Sequence, residues 1–309
     1  MGFKDVSVDL VYMWVDGNDP AWLAKKQRFM DKKTNIAGRF QDNHELKYSL
    51  RSAEKHLPWI RKIFIVTDGQ IPSFLNVSHP KIEVIDHSQI IPKENLPLFN
   101  SISIEYNIYK IPGLSEHFLL ANDDTFVNAD LSPSFFFQDG IPVMRMVYNP
   151  FMELKLKLKK ALKLRVNTHR LAIENAYKLF KEKFNVFYPI SQHHNIDAYL
   201  KSDFKAVVEE VFKEELAAVL SNRFRAKTDI QRVLVNYFGL VNKRGILKYV
   251  GRKESGRIRV HRTNYQEYIS KYNPQLFCIN DSEHATDAHR AQVEPFLKKL
   301  FPVKSAFEK

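Results

Sequence analysis

Cysteine is almost absent. Cys278 is the only one in 309 residues, so no disulfide can form within the chain, and the sequence reads as suited to a reducing compartment. No uninterrupted apolar stretch approaches the roughly 18–20 residues that span a bilayer, which leaves only peripheral membrane contact. The first residues run straight into a strand-like segment, without the basic, apolar and small-residue zones of a signal peptide, so the expected location is the cytoplasm. There is no Walker loop, no Gly-rich dinucleotide fingerprint and no Gly-x-Ser-x-Gly elbow, and the kinase, dehydrogenase and serine-hydrolase readings drop away. Zinc-finger spacing and ribonucleoprotein-type aromatic strands are missing too, so a nucleic-acid partner would rest on charge alone.

The charge that is present is positive. Lys and Arg number 47 against 35 Asp and Glu, a net +12 that favours an anionic partner without choosing among nucleic acid, anionic lipid and a nucleotide-sugar. Over the first 140 or so residues, short β-branched runs alternate with amphipathic helical stretches. That is the pattern of an α/β fold with a mainly parallel sheet and helices on its faces. Strands are predicted at Val8 to Trp14, Ile63 to Thr67, Ile82 to Ile85 and His117 to Ala121. A helix from Glu45 carries Leu46, Leu50, Ala53 and Leu57 on one face and stops before Pro58. Another carries Ile104, Ile108 and Ile111. Each strand ends in polar residues, and in open α/β sheets the ligand crevice lies outside those carboxyl ends.

Near residue 153 the composition changes. Glu153 to Arg165 holds six cations and one acid. It reads as a basic amphipathic surface that touches anionic lipid, as a solvated basic face, or as an edge strand of alternating Leu and Lys. Helices are predicted around 170–183, 197–220 and 228–240, then strands at Ile246 to Val250, Ile258 to His261 and Leu276 to Ile279, and a helix near 286–299. The tail from about 271 is expected to rejoin the first sheet.

Several clusters carry chemical potential. Asn122-Asp123-Asp124 closes an apolar strand with adjacent carboxylates, hard oxygen donors that suit Mg²⁺ when substrate phosphates complete its shell; a helix cap or turn is the plain alternative. Asp16, Asn18 and Asp19 form a polar turn between Trp14 and Trp22. There an aromatic could stack a base while the turn holds ribose, or the turn could be an Asx-turn beside a core tryptophan. Glu105 lies one residue past the apolar stripe of its helix, so it could face either water or the crevice, and from position alone it reads as surface. His193 and His194 are neighbours without the i, i+4 spacing of a zinc pair, and one could serve as general acid or base. Arg223 and Arg225 flank Phe224, either as a phosphate-holding pair or as an exposed cationic turn.

Taken together, these residues resemble the Stealth family. Val11-Tyr12-Met13-Trp14-Val15-Asp16-Gly17-Asn18-Asp19-Pro20 looks like its first signature block. Asp42 to Ser52 and then Pro58 to Pro72 are similar to the second block almost throughout, and it ends at Leu120-Ala121-Asn122-Asp123-Asp124. A looser third block surrounds His194 and Arg223-Phe224-Arg225, with Ile196 where the family often has proline. Phe277-Cys278-Ile279-Asn280-Asp281 resembles the fourth. The family includes bacterial capsule and exopolysaccharide phosphotransferases and the animal enzyme that places GlcNAc-1-phosphate on lysosomal glycoproteins. The long insertions of the animal member are missing here, which fits a bacterial polysaccharide enzyme.

The resemblance implies a nucleotide-sugar-transferase-like, Rossmann-like core. It implies that an acceptor hydroxyl attacks the sugar-bearing phosphorus of a UDP-sugar, releases UMP and leaves a phosphodiester. The acceptor would be a polysaccharide or lipid-linked glycan. By motif position the catalytic set is Glu105, Asp124, His194 and Arg225. Donor contacts fall to Trp14, Asp16, Gly17, Asn18, Asp19 and Arg51, and Mg²⁺ or Mn²⁺ would be held by Asp124, Asn280 and Asp281. The implied division is a donor-binding α/β core at 1–150, a mainly helical acceptor and catalytic part at 151–270, and a C-terminal strand and helix at 271–309, with possible peripheral contact of 154–165 with the cytoplasmic face of the membrane. One rival is a conventional metal-dependent glycosyltransferase that releases UDP. Another is a basic protein that binds nucleic acid or membrane and turns over nothing.

Overall fold

The computed structural model describes residues 6–30, 40, 42–151, 154, 157, 158, 161–163 and 167–309. In chain order its strands are β1 (Val8–Met13), β2 (Ile63–Thr67), β3 (Ile82–Asp86), β4 (His117–Asn122), β5 (Thr125–Val127), β6 (Phe137–Gln138), β7 (Ile141–Tyr148), β8 (Ile190–Gln192), β9 (Asp197–Leu200), β10 (Ile246–Tyr249), β11 (Ser255–Arg259) and β12 (Leu276–Asn280). The helices that frame the site's sheet edge are α1 (Pro20–Gln27), α2 (Glu45–His56) and α3 (Ser101–Glu105).

The principal sheet has the order β3-β2-β1-β4-β9. Its first four strands are parallel and β9 is antiparallel to β4. Strands buried on both faces read as continuous apolar runs, and side-chain alternation sends neighbouring residues into separate cores. Leu10, Ile63, Ile65 and Leu119 join Leu46, Leu50 and Ala53 of α2 on one face. Val11, Phe64, Val66 and Leu120 meet Ala172, Phe180 and Tyr237 of the later helices on the other. The α/β fold expected from the sequence is therefore present.

Residues 197–200, expected to begin a helix, form β9 instead, and the helix starts at Lys201. All four residues of β9 are buried. Backbone pairing along the otherwise open edge of β4 satisfies hydrogen bonds that a solvent-facing helix would leave to water, so tertiary pairing overrides the local pattern. The helix expected to run through Ile104, Ile108 and Ile111 is short: Asn107 donates its side-chain amide to the Ser103 carbonyl (2.9 Å), and a 3₁₀ turn follows at Ile108–Lys110. All three isoleucines still reach the same core.

The C-terminal strand does not extend the principal sheet. β12 lies between β11 and β5 in a separate three-stranded sheet, antiparallel to β5, which follows β4 almost directly. The predicted 286–299 helix is two helices, Asp287–Arg290 and Val293–Leu300. The basic segment 154–165 falls largely outside the described residues. Within it Leu154, Leu158 and Leu162 are exposed.

Candidate functional site

Parallel strands deliver their carboxyl ends to one edge, and the site is assembled there. β4 ends in Asn122, and Asp123 and Asp124 occupy the turn into β5. Because β9 runs antiparallel to β4, with Asp197 opposite Leu120, the residues that lead into β9 are carried to the same end. That geometry brings His194 Nε2 to 3.3 Å from Asp124 Oδ2. Asp124 Oδ1 is buried and has no hydrogen-bond partner among the described residues.

The neighbouring histidine has a different environment. His193 Nδ1 contacts Ser255 Oγ at 2.7 Å, and its Nε2 lies 3.1 Å from Asp197 Oδ1, with only 4% of the side chain exposed. His193 is thus an internal tie, and His194, with 36% of its side chain exposed, is the histidine that meets Asp124.

Carboxyl groups crowd beneath Asp124. Burial, and after it the charges of Asp124, Glu45 and Asp42, pushes the Asp123 carboxyl well above the usual carboxylate range. Glu45, at the start of α2, accepts from the backbone and side-chain nitrogens of Asn43, both at 2.7 Å. Burial nonetheless pushes it up to about 8, with Asp42 and Asp124 acting in the same direction. Such mutual repulsion marks a place where a cation is welcome.

Positive charge converges from the other side. Arg225 donates to Ser101 Oγ of α3 at 2.6 Å. Burial lowers its pKa, opposed by the charges of Glu105 and Asp229. Glu105, expected to be a surface residue from its position alone, is buried: its Oε1 meets Arg232 Nη1 at 2.9 Å, and its Oε2 has no hydrogen-bond partner among the described residues. Arg232 also binds Asp197 Oδ2 at 2.7 Å and donates to the Tyr199 hydroxyl at 3.0 Å. His169 is exposed, and the protein on its covered side, and then the charges of Arg225, His194, Arg257 and Arg232, lower its pKa. Glu105, Asp124, His194 and Arg225 therefore belong to one connected group of charges at this edge.

The Arg223-Phe224-Arg225 turn is clamped in place. The Phe99 amide donates to the Arg223 carbonyl at 2.9 Å, and Phe99 stacks on Phe224 at 5.3 Å between ring centroids. Asp229 accepts from Asn222 Nδ2, Asn100 Nδ2 and the Ala226 amide. The two arginines consequently diverge, Arg225 toward Glu105 and Arg223 toward Pro97.

Other expected site residues are occupied elsewhere. Trp14 is 8% exposed and packed in the α2-side core, which leaves little ring for a base to stack on. Asp19 caps α1 by accepting from the Ala21 and Trp22 amides and also binds Gln70. Asp16 accepts from the Asn18 amide at 2.8 Å, an Asx-turn. Gly17 is required sterically, since a Cβ there would lie 1.9 Å from the Phe40 carbonyl oxygen. Arg51 is engaged by a two-pronged pair with Glu308 (2.7 and 2.8 Å) and by the Phe301 carbonyl.

Of the expected metal ligands, Asn280 Oδ1 accepts from Arg257 at 2.6 Å, and Asp281 is paired with Arg290 at 2.8 Å. The Ile279 amide donates to the Asp124 carbonyl, so Asn280 still borders the crevice. Among the described residues, no group of three or more His, Cys, Asp or Glu side chains is arranged as a metal cage. Mg²⁺ seldom has such a cage; it is usually held by one or two carboxylates plus substrate phosphates. The unpartnered Asp124 oxygen and the crowded Asp123 fit that kind of site. Sequence reasoning missed Arg232, His169 and Arg257. No short spacing links them to the motif residues, and only the β4–β9 pairing and the β12 ladder bring them near.

An α/β protein with an acid cluster and converging arginines at its carboxyl edge belongs to the broad class built for phosphate-bearing ligands. The family pattern described as Stealth protein CR1, conserved region 1, matches residues 6–34, and Stealth protein CR2, conserved region 2, matches residues 39–144. The capsular polysaccharide phosphotransferase fcs1 of Haemophilus influenzae is 34% identical over 300 residues, which covers 91% of this chain and 80% of that protein. The capsular polysaccharide phosphotransferase WcwK of Streptococcus pneumoniae is 31% identical, covering 98% of this chain and 99% of its own. The exopolysaccharide phosphotransferase cps2G of Lactiplantibacillus plantarum is 31% identical, covering 98% and 96%. The chain belongs to the Stealth family of phosphotransferases. Among solved structures, galactosyltransferase LgtC aligns over 95% of each chain at 12% identity with a TM-score of 0.47, a likeness too distant to add to the topology.

Proposed function

We propose that this enzyme transfers a hexose 1-phosphate from a UDP-sugar to a hydroxyl of a polysaccharide or lipid-linked glycan. The acceptor oxygen forms a bond to the sugar-bearing phosphorus, the bridging P–O bond to the nucleotide breaks, UMP leaves, and the hydroxyl proton must be taken up. The observation that carries this reading is the His194–Asp124 contact at 3.3 Å, with Arg225 close enough that it and His194 both act on the His169 ring.

His194 takes the hydroxyl proton, and Asp124 fixes its ring by holding Nε2. Arg225 meets the phosphate, supplying charge where charge accumulates during transfer. Glu105, held by Arg232, sets the position of Arg225 or of the acceptor. Mg²⁺, or Mn²⁺ in its place, held by Asp124 with Asp123, would neutralise donor phosphate charge. Residues 1–150 would carry most of the donor. The 151–270 part would supply His194 and Arg225 and face the acceptor, and residues 271–309 would buttress the β5 side.

No helix among the described residues is long and apolar enough to cross a membrane. We place the enzyme in the cytoplasm, with the exposed Leu154, Leu158 and Leu162 of the basic 154–165 segment at the membrane surface, near a lipid-linked acceptor.

The test is to incubate the purified protein with Mg²⁺, UDP-hexoses and short acceptor glycans and to identify the released nucleotide. UMP with a phosphodiester-linked product is expected. Release of UDP would replace this reading with a conventional glycosyltransferase, and absence of turnover over a broad panel would revive the binding-protein alternative.

A further inference from the structure

The carboxyl edge holds a second feature, two strands away from Asp124. A cavity of about 280 Å³ opens beyond the ends of β2 and β3, with Lys25 and Phe29 on one wall and Leu96 and Pro97 on another. Asp68 and His87 line it as well. His87 is 6% exposed; its Nδ1 lies 4.0 Å from Asp68 Oδ1, too far for a hydrogen bond, and has no hydrogen-bond partner among the described residues. The Asp68 side chain is 11% exposed, and its Oδ2 is likewise without a hydrogen-bond partner among the described residues, while Oδ1 is bound by Lys25 Nζ at 2.9 Å. Buried polar atoms without partners are uncommon, and two on one cavity wall call for a ligand that supplies what they lack.

The chemistry of the walls restricts that ligand. Asp68 Oδ2 can only accept, so the ligand presents an N–H or O–H. Burial, opposed by the charges of Asp68 and Asp86, keeps His87 toward its neutral form, able to donate or accept. Asp68 and Asp86 are balanced by Lys25 and by Arg223, which lies against Phe29 and Pro97, so the walls carry no net charge to draw a phosphate. Phe29, Leu96 and Pro97 offer apolar surface, and the Phe29 ring is 44% exposed. The ligand end that fits is uncharged, part apolar and rich in donors.

The geometry points to this cavity as the subsite for the nucleoside end of the donor, with Asp68 Oδ2 accepting from the base or ribose and Phe29 covering the base. This rests on the reading of the donor as a UDP-sugar, and it moves the nucleoside away from the Trp14–Asp19 turn to the neighbouring strand ends. Arg223 links the two halves of the edge: its Nε donates to the Pro97 carbonyl at 2.9 Å and its guanidinium lies 4.3 Å from the Phe29 ring centroid, two residues before Arg225. From β2 across β1 to β4 is two strand spacings, about 10 Å. An extended nucleoside diphosphate lying along the edge would therefore reach from Asp68 to Asp124, its phosphates passing the 223–225 turn.

The test is calorimetric titration of the full chain with UDP in buffer containing Mg²⁺, alongside Asp68→Asn and Phe29→Ala. The first removes an acceptor and keeps the shape; the second trims a half-exposed ring and leaves the core intact. Melting curves matching the parent protein establish that both variants are folded. Asp68→Asn is expected to weaken UDP about tenfold or more and Phe29→Ala about fivefold or more, the scale of a lost hydrogen bond to a charged group and of a lost stacking surface. A change below threefold in either folded variant, with the parent binding UDP normally, overturns the subsite and leaves the donor reading standing. Failure of the parent protein to bind UDP overturns both.

Discussion

His194 Nε2 and Asp124 Oδ2 stand 3.3 Å apart although 70 residues separate them, because β9 enters the sheet beside β4 in the reverse direction. The contact places a titratable ring over a carboxylate whose other oxygen is unpartnered. His194→Gln keeps a polar side chain but cannot take up a proton, so kcat for transfer is expected to fall about 10²–10⁴-fold, with the Kd for UDP changed little. His193→Gln should do the reverse. It breaks the internal tie to Ser255 and Asp197, costing about 1–3 kcal/mol of stability with a smaller effect on kcat. If single-turnover rates of the two variants were equal, the assignment of His194 would fail.

Arg51 lies within the second signature block but acts on the chain's end. Its bidentate contact with Glu308 and the bond to the Phe301 carbonyl anchor the C-terminal segment against α2. Arg51→Ala would leave Glu308 almost buried without its cation, for which a loss of about 3–5 kcal/mol is typical. The expected result is a strongly lowered melting temperature, while the Kd of the folded fraction for UDP stays within about twofold of the parent. A selective loss of UDP binding at unchanged stability would return Arg51 to the donor site.

The sheet was legible because fully buried parallel strands announce themselves as unbroken apolar runs, and Ile63 to Thr67 falls on β2 residue for residue. The edge carrying the site was legible for a related reason, since polar turns follow such runs. What could not be read was which polar residues a turn spends on itself. Asp19 as a helix cap and Asp124 as a partner of His194 look alike in sequence, and only the presence of Ala21 and Trp22 amides at one and His194 at the other separates them. Asp197–Leu200 misled because helix and strand compete closely over four residues, and the open edge of β4 decided the outcome. Arg232 was invisible because its partners Glu105, Asp197 and Tyr199 are all distant in the chain.

Glu45 gives the protein a distinctive pH response. Its carboxyl is raised to about 8 in the folded state, chiefly by burial, from an ordinary value of 4.5. Between those values the folded state holds a proton that the unfolded chain releases, so this group's contribution to stability is greatest at low pH and declines as pH rises through about 8. In buffer with chelator, the melting temperature is expected to fall from pH 6 to pH 8.5, and Glu45→Gln to flatten that slope. An unchanged slope in the variant would show that Glu45 is already ionised near neutrality.

Arg232 is the positioning residue on which Glu105 depends. Its guanidinium satisfies Glu105, Asp197 and the Tyr199 hydroxyl at once, a geometry that a planar fork of donors can meet and an ammonium cannot. Arg232→Met would leave two buried carboxylates facing each other's field, and a loss of about 3–5 kcal/mol is expected. Adding Glu105→Gln should recover part of that stability, because one of the two uncompensated charges is gone. Activity should not return, since Glu105 is then absent from the crevice. A thermodynamic cycle of the two substitutions separates the contributions: a coupling energy above about 0.5 kcal/mol in melting, together with a fall in kcat that is no larger in the double variant than in Glu105→Gln alone, would establish that Arg232 acts on transfer through Glu105. Strictly additive losses in both measurements would instead make Arg232 an independent contributor to the site.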